Sequence, residues 1–214
     1  MKIAVLGTGR MGSGLARLWA TAGEDVFIGS RDPAKAQALV NDIKKVHPAA
    51  RVVGSDYAGA AKPAEMVVTA VPYKQAAPLL RKLKPALKGK IVVDISNPLK
   101  PDYSGLATKP NTSGAEEIAR VTGRAIPLVG AFKNTFASLL GDPGLAQLHP
   151  DVLVCSDDDK AKTTVMRMVE RIGFRALDAG RLKTARILEN MTVLMIALDV
   201  RYKAGFKSGW QFLD

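Results

Sequence analysis

The sequence predicts a doubly wound α/β fold: a mostly parallel sheet with helices on both faces and a small C-terminal α/β extension that ends in a helix. Two observations lead to this fold class. Short apolar runs alternate with amphipathic stretches at helical spacing along the chain. Several runs are apolar nearly throughout, as in residues 66–71, which indicates strands buried on both faces. Residues 1–214 are expected to form a single domain, with the extension beginning near residue 151.

Eight apolar runs have the length and composition of strands. Pro127 falls inside the sixth run, and because proline has no N–H to donate to a ladder, this strand is expected near the edge of the sheet. Residues 96–114, rich in Pro, Gly, Ser and Thr, indicate a long loop rather than a domain boundary, since strand-like runs continue after them. The predicted strands are 2–7, 25–29, 51–54, 65–71, 90–95, 125–130, 152–156 and 174–178.

The first helices carry clear start and stop signals. One apolar stripe at helical spacing ends at Gly23, a typical helix terminator. Asp32 followed by Pro33 predicts an N-cap and a first helical residue for the next helix. The first stripe consists of Met11, Leu15, Leu18, Trp19 and Ala22.

The last predicted helix covers about residues 183–203. Its apolar stripe, from Ile187 to Leu198, is broad for a helix that packs one face on its own core. Two interpretations stay open: the stripe covers the sheet, or part of it packs in a homodimer interface.

The formal net charge of +11 is compatible with a lysine-rich solvated surface and with attraction of a polyanionic small molecule. Nucleic-acid binding is not expected, because the sequence has no helix-turn-helix signature, aromatic-rich strand motif or zinc finger. No membrane association is expected either, since no stretch approaches the roughly 18 apolar residues of a span. The first predicted strand starts at residue 2, so no cleaved leader is expected.

Cysteine and histidine usage favours a cytoplasmic protein without a transition metal. The one cysteine, Cys155, rules out an internal disulfide framework, and its apolar strand indicates a core residue rather than a nucleophile. His47 and His149 are the only histidines. The run Asp157–Asp159 stands at a predicted helix start, where the positive helix end stabilises carboxylates without an ion. No metal site is predicted.

A glycine-rich segment follows the first strand and opens the first helix. Gly7 permits the tight turn, Gly9 lets the backbone approach a pyrophosphate, and Gly12 lets the helix pack closely on the strand. The pyrophosphate would then lie on N–H groups at the positive end of the helix. The sequence thus predicts a dinucleotide-binding, Rossmann-type fold. The predicted contacts are Gly7, Thr8, Gly9, Arg10, Met11 and Gly12.

The end of the second strand indicates which dinucleotide binds. Proteins of this fold that bind NAD usually have Asp or Glu there, and that carboxylate would repel a 2′-phosphate. This chain has Ser30, which can donate a hydrogen bond, and Arg31, which can donate a charge-assisted one. Thr8 and Lys35 can complete the pocket, while Asp32 is expected to be occupied as an N-cap. The prediction is therefore NADP(H).

The nicotinamide is expected just past the fourth, fifth and sixth strands, because ligands of such sheets bind at the carboxyl ends of the strands. For the prolines and Tyr73, ligand contact and simple loop packing both stay open. The candidate contacts are Val71, Pro72, Tyr73, Ser96, Asn97, Pro98 and Ala131.

These motifs resemble the NADP oxidoreductases that use the deazaflavin coenzyme F420, over nearly the whole chain. The most specific part is C-terminal: residues 154–159, residues 177–182, Arg186 and Glu189. A more distant likeness is to the cytosolic domain of the six-transmembrane metalloreductases, which passes electrons from NADPH to a flavin. The resemblance implies hydride transfer between NADP(H) and a flat acceptor, either F420 or a flavin (FMN or FAD), with the coenzymes carrying the chemistry.

One segment departs from the resemblance. Family members that use F420 carry a histidine just past the sixth strand, and the position here is Lys133. A following isoleucine becomes Thr135, and the pair Asn134-Thr135 is similar to an Asn-Thr pair of the metalloreductases. A lysine can still attract an anionic deazaflavin. Lys133, Asn134 and Thr135 are therefore the candidate acceptor-pocket residues, and no residue is assigned a catalytic role with certainty.

The leading hypothesis is a cytoplasmic NADPH-dependent oxidoreductase whose partner is a small-molecule hydride acceptor. The sequence contains no Ser-His-Asp constellation, which agrees with chemistry carried by coenzymes. Two alternatives stay open: a reductase of a small organic substrate in the same pocket, and an NADP(H)-binding module that senses redox state without turnover.

Overall fold

The computed structural model describes residues 1–141 and 150–213, in which eight strands form one sheet. All eight predicted strands are confirmed, within a few residues at their ends. The strands are β1 (Lys2–Leu6), β2 (Asp25–Gly29), β3 (Val52–Ser55), β4 (Met66–Thr69), β5 (Ile91–Asp94), β6 (Leu128–Gly130), β7 (Asp151–Ser156) and β8 (Arg175–Asp178). Their order across the sheet is β3-β2-β1-β4-β5-β6-β7-β8.

Strands β1 to β6 are parallel and lie in the order 3-2-1-4-5-6 of a dinucleotide-binding sheet. Their register aligns the carboxyl ends in one row. Leu6 pairs with Gly29 on one side and with Thr69 on the other. Thr69 then pairs with Asp94, and Asp94 with Gly130. The chain reverses its winding between β1 and β4, which is where ligands of such sheets bind. The predicted fold class is confirmed.

The extension adds β7 antiparallel to β6 and β8 parallel to β7. The expectation that β6 lies near the edge is therefore wrong, because β6 lies between β5 and β7. The reason is that Pro127 stands one residue before β6, which begins at Leu128, so its missing N–H costs no ladder bond. The Pro127 carbonyl instead accepts a hydrogen bond from the Val92 N–H at 2.9 Å.

Helices cover both faces of the sheet. Asp32 caps α2 as predicted: its Oδ1 accepts from the Ala34 N–H at 3.0 Å, and Pro33 is the first helical residue. No helix in residues 1–141 or 150–213 has both the length and the hydropathy needed to cross a membrane. The described α-helices are α1 (Arg10–Thr21), α2 (Pro33–Val46), α3 (Tyr57–Ala61), α4 (Tyr73–Leu83), α5 (Gly114–Thr122), α6 (Asp159–Glu170) and α7 (Ala185–Tyr202).

Aromatic packing joins the extension to the parallel half of the sheet. Phe132 follows β6, and its ring meets Trp19 and Phe174 edge-on, with centroids 6.3 and 6.2 Å away. The Trp19 indole N–H donates to the Met168 carbonyl of α6 at 2.9 Å. Phe132 holds a positive φ of 54°, an uncommon conformation for an aromatic residue that this packing stabilises. The segment after β6 is thereby anchored at the row of carboxyl ends.

Candidate functional site

The glycine turn after β1 is built by close backbone approach. Gly7 has a φ of +129°, and a β-carbon there would lie 2.4 Å from the Ala70 carbonyl oxygen. A β-carbon on Gly12 would lie 2.1 Å from the Gly7 carbonyl oxygen. The predicted roles of these two glycines in the turn and in helix packing are confirmed. A β-carbon on Gly9 would meet no described atom within 4 Å, so the space above the turn is open.

The positive end of α1 faces this open space. Gly9 precedes the helix without a side-chain cap, and the first turn contains no acidic residue. The first helical hydrogen bond runs from the Ser13 N–H to the Gly9 carbonyl at 2.8 Å. The N–H groups of Arg10, Met11 and Gly12 come before it and have no partner within the helix. This arrangement suits a pyrophosphate, while the individual contacts stay predictions.

The end of β2 presents a hydroxyl group and two cationic side chains. The buried Ser30 Oγ accepts from the Asp32 N–H at 3.2 Å, which leaves the hydroxyl proton available to donate. Arg31 and Lys35 are exposed. The Asp32 carboxylate that follows accepts from the Ala34 N–H at 3.0 Å at the start of α2. A phosphate group fits this set of donors better than a bare 2′-hydroxyl.

Val71, Pro72 and Tyr73 lead from β4 into α4. Val71 is buried, and Pro72 is exposed at the N-cap position. Tyr73 turns toward α5, where its hydroxyl donates to the Glu117 carboxylate and its ring packs closely on Gly114, whose β-carbon would lie 3.1 Å from the ring. Burial and the Glu117 carboxylate raise the pKa of Tyr73 well above its usual value. These contacts show that Tyr73 packs against α5, while its contact with a ligand stays a prediction.

Ser96, Asn97 and Pro98 follow β5 and are tied to buried groups. The Ser96 N–H and hydroxyl both donate to Asp94 Oδ1, at 3.1 and 2.7 Å. The Asn97 Nδ2 donates to the Lys133 carbonyl at 2.8 Å. Its Oδ1 is buried and has no hydrogen-bond partner among the described residues. Pro98 is buried. This segment is therefore held in one position beside the place expected for the nicotinamide.

Lys133 is turned into the protein. Its side chain is 0% exposed, and its Nζ lies 2.8 Å from Asp94 Oδ2, 2.6 Å from the Ser96 carbonyl and 3.1 Å from Glu189 Oε1. A β-carbon at Gly130 would lie 3.0 Å from the Cys155 Sγ and 3.3 Å from Lys133 Cε, so glycine eases the packing of both side chains. Burial lowers the pKa of Lys133, but the two carboxylates outweigh burial and hold the pKa above its usual value. These contacts correct the expectation that this charge is available to an anionic acceptor.

Asn134 connects the segment after β6 to the extension. Its Nδ2 donates to the Asp151 carbonyl at 2.7 Å, and its Oδ1 accepts from the Leu153 N–H at 3.2 Å. Thr135 is nearly buried, and its N–H donates to the Phe132 carbonyl at 3.3 Å. Asn134 therefore completes the start of β7. Contact between these two residues and an acceptor stays a prediction.

Sequence reasoning assigned no role to Glu189, which the structure places at the centre of the site's support. This buried residue of α7 accepts from the Gly114 and Ala115 N–H groups, at 2.9 and 3.2 Å, at the start of α5. Burial raises the pKa of Glu189, although Lys133 opposes this shift. The available signal was an acidic residue at helical spacing from the apolar Ala185, four residues before it, and Ile196, seven residues after it.

The aspartate run and the cysteine have structural surroundings. Asp158 caps α6 by accepting from the Ala161 N–H at 2.9 Å, Asp157 accepts from the Leu182 N–H at 3.3 Å, and Asp159 pairs with Lys162 at 3.0 Å. Cys155 is buried in the core, and burial raises the pKa of its thiol to about 11. His47 is exposed, and His149 lies outside the described residues.

Residues 2–98 match the family described as NADP oxidoreductase, coenzyme F420-dependent. The chain is 36% identical to the F420-dependent NADP reductase of Methanocaldococcus jannaschii, and the match covers 95% of each protein. The chain belongs to the F420-dependent NADP reductase family. The resemblance stated from the sequence motifs is thereby confirmed.

Two further relatives place this F420-dependent NADP reductase family member among known proteins. A crystal structure from Arthrobacter sp. FB24, provisionally assigned as an F420-dependent NADP reductase, superposes with a TM-score of 0.87 at 31% identity and covers 100% of both chains. The metalloreductase STEAP3 of Rattus norvegicus is 30% identical over 91% of this chain, which corresponds to 37% of that protein. The match to the Arthrobacter structure therefore includes the C-terminal extension as well as the parallel strands.

Proposed function

We propose that the protein is an oxidoreductase that transfers hydride between NADP(H) and coenzyme F420. The observation that carries the NADP(H) half is the bare positive end of α1 beside Ser30 and Arg31, at the reversal point of the sheet. The acceptor follows from the relatives, whose name states both F420 and NADP. The chain would act as one domain, residues 1–214, in which the part from about 151 supports the acceptor side.

In this proposal the protein binds and orients two coenzymes that supply the redox chemistry between themselves. The amides at the start of α1 bind the pyrophosphate. The pocket of Thr8, Ser30, Arg31 and Lys35 binds the 2′-phosphate. Contacts at the nicotinamide come from the backbones and side chains after β4, β5 and β6. Those residues are Val71, Pro72, Tyr73, Ser96, Asn97, Pro98 and Ala131.

Turnover by the purified protein tests this function. NADPH with F420 is expected to give loss of the reduced-nicotinamide absorbance together with reduction of F420, at a rate at least about tenfold above NADH with F420. Turnover only with FMN or FAD would show that a flavin is the acceptor, and turnover only with carbonyls or imines would show that a small organic molecule is. Tight NADPH binding without turnover of any acceptor would instead indicate a redox-sensing module, and each of these results overturns the proposal.

We further propose that the protein works in the cytoplasm as a homodimer. The single cysteine is a buried thiol, which suits a reducing compartment. Helix α7 packs one face on the core through Leu188 and Met195. Its other face carries apolar side chains at spacings of four, three and four residues, of which Met191 is half-buried and the other three are exposed: Ile187, Met191, Leu194 and Leu198. Two copies of such a face are self-complementary about a two-fold axis.

Leu194→Glu is expected to convert the dimer into a monomer, because Leu194 is 50% exposed and central in this face. Sedimentation equilibrium at micromolar concentration is expected to give twice the 22.8 kDa chain mass for the wild type and the single mass for the variant. Val46→Glu is the matched control, since Val46 is a 69% exposed apolar residue at the end of α2. A monomeric wild type, or a variant that stays dimeric, would contradict this interface.

A further inference from the structure

The strongest unassigned feature is a buried ionic cluster behind the acceptor side of the site, formed by Asp94, Lys133 and Glu189. All three side chains are 0% exposed. Asp94 ends β5, Lys133 follows β6, and Glu189 belongs to α7. The cluster therefore joins three elements that are far apart in the sequence at the row of carboxyl ends. No group in it faces solvent, so it does not bind a ligand directly.

Lys133 is the hub of this cluster because it uses all its hydrogen-bonding capacity. An ammonium has three donors, and they match Asp94 Oδ2 at 2.8 Å, the Ser96 carbonyl at 2.6 Å and Glu189 Oε1 at 3.1 Å. The Lys133 carbonyl in turn accepts from Asn97 Nδ2 at 2.8 Å and from the Thr192 hydroxyl of α7. Both ends of one residue thus hold the Ser96-Asn97 segment and α7.

The two carboxylates have further donors that offset their excess negative charge. Asp94 Oδ1 accepts twice from Ser96. Glu189 accepts from the first two amides of α5, where the helix end is positive. The cluster is consequently satisfied only when Lys133, the Ser96 segment and the start of α5 stay in their present places. Loss of the ammonium would leave two buried carboxylates facing each other.

We propose that Lys133 is a positioning residue of the reaction: its ammonium fixes the segment Ser96–Pro98 against the nicotinamide and does not contact the acceptor. This inference rests on the proposed function. In the proposed binding mode, the pyrophosphate and the 2′-phosphate bind at α1 and at the end of β2, whereas the cluster lies at β5 and β6, so the charged contacts to NADP(H) do not involve it. A misplaced Ser96–Pro98 segment therefore changes the geometry of transfer more than the affinity.

Lys133→Met tests this role through the division of its effect between kcat and KM. The expected result, per folded site titrated with NADPH, is a kcat at least about tenfold lower, with the KM for F420 and the Kd for NADPH changed less than about threefold. If Lys133 bound the anionic acceptor, Lys133→Met would instead raise the KM for F420 and leave kcat nearly unchanged. That division of the effect would overturn the proposal.

Removal of a buried ion partner is strongly destabilising, so Lys133→Met can fail to fold. A second variant is therefore needed that keeps all three charges of the cluster. Thr192→Val removes the hydroxyl that donates to the Lys133 carbonyl and, at 3.2 Å, to the Leu188 carbonyl of its own helix, and it leaves all three charges of the cluster in place. It is expected to lower kcat about threefold or more without raising the KM for F420. Thr163→Val is the control, since Thr163 bonds the Asp159 carbonyl of its own helix at 2.8 Å and is exposed.

Hydrogen–deuterium exchange measures how firmly the segment after β5 is held, and it needs no turnover. The amides of residues 95–97 are expected to exchange at least about tenfold faster in Thr192→Val than in the wild type, while those of α2 stay unchanged. Unchanged exchange there, or an equal effect from the Thr163 control, would overturn the positioning role. A wild type that reduces no F420 would overturn the proposed function instead, and the exchange result would still decide whether Lys133 holds the segment.

Discussion

Replacing Arg31 with glutamate is expected to raise the dissociation constant for NADPH roughly 100-fold and that for NADH less than about threefold. The reason is that Arg31 is exposed at the end of β2, beside the buried Ser30 hydroxyl. The substitution exchanges a charge-assisted donor for a carboxylate that repels a 2′-phosphate and can bond a 2′-hydroxyl. Isothermal titration calorimetry with both dinucleotides measures the two constants.

Lys44→Glu provides the matched control for this substitution. Lys44 is also exposed, but it lies in the last turn of α2, at the far end of the helix from Asp32. It makes the same change in net charge, so any general loss of attraction for polyanions appears in both variants. Lys44→Glu is expected to change the dissociation constant for NADPH less than about threefold. Equal weakening of NADPH and NADH by Arg31→Glu would remove the argument for a 2′-phosphate pocket.

The second large expected effect concerns the glycine turn, where one substitution is expected to weaken NADPH binding and another to lower stability. Gly9→Ala is expected to weaken NADPH binding at least about tenfold, since its β-carbon would occupy the open space above the turn. The same variant is expected to lose no more than about 1 kcal/mol of unfolding free energy, the usual effect of alanine at an N-cap. Calorimetry and thermal unfolding measure the two quantities on one preparation.

Gly12→Ala is the contrasting variant, because its β-carbon would lie 2.1 Å from the Gly7 carbonyl oxygen. The backbone must move to relieve this contact, at a cost of about 2 kcal/mol in unfolding free energy. The expected decrease in Tm is about 4–8 °C for a chain of this size. If Gly9→Ala bound NADPH as tightly as the wild type does, the pyrophosphate would not lie on this turn.

The sheet could be predicted from the sequence because its information is local. Apolar runs such as Met66–Thr69 are buried on both faces and carry the signal within themselves. The cap at Asp32 is similarly local, since donor and acceptor are two residues apart. The position of β6 in the sheet was not determined by local sequence. Pro127 indicates an edge strand only if it lies inside the strand, and β6 begins one residue later.

The segment expected to face the acceptor could be identified from the sequence, but the directions of its side chains could not. The residue types after β6 show a charge at position 133, yet the direction of that side chain depends on Asp94, 39 residues away, and on Glu189 of α7. The packing around the lysine also involves Gly130, and the absence of a β-carbon there matters only when β6 is placed beside Cys155 of β7. Such long-range polar partners leave no periodic pattern in the sequence.

The central claim is that the end of β2 selects the phosphorylated dinucleotide. Titration of the unmodified protein with NADP⁺ and with NAD⁺, at equal ionic strength in a calorimeter, tests it most directly. The account predicts that NADP⁺ binds at least about tenfold more tightly, with the difference decreasing as salt is added. Equal affinities, or tighter binding of NAD⁺, would contradict it.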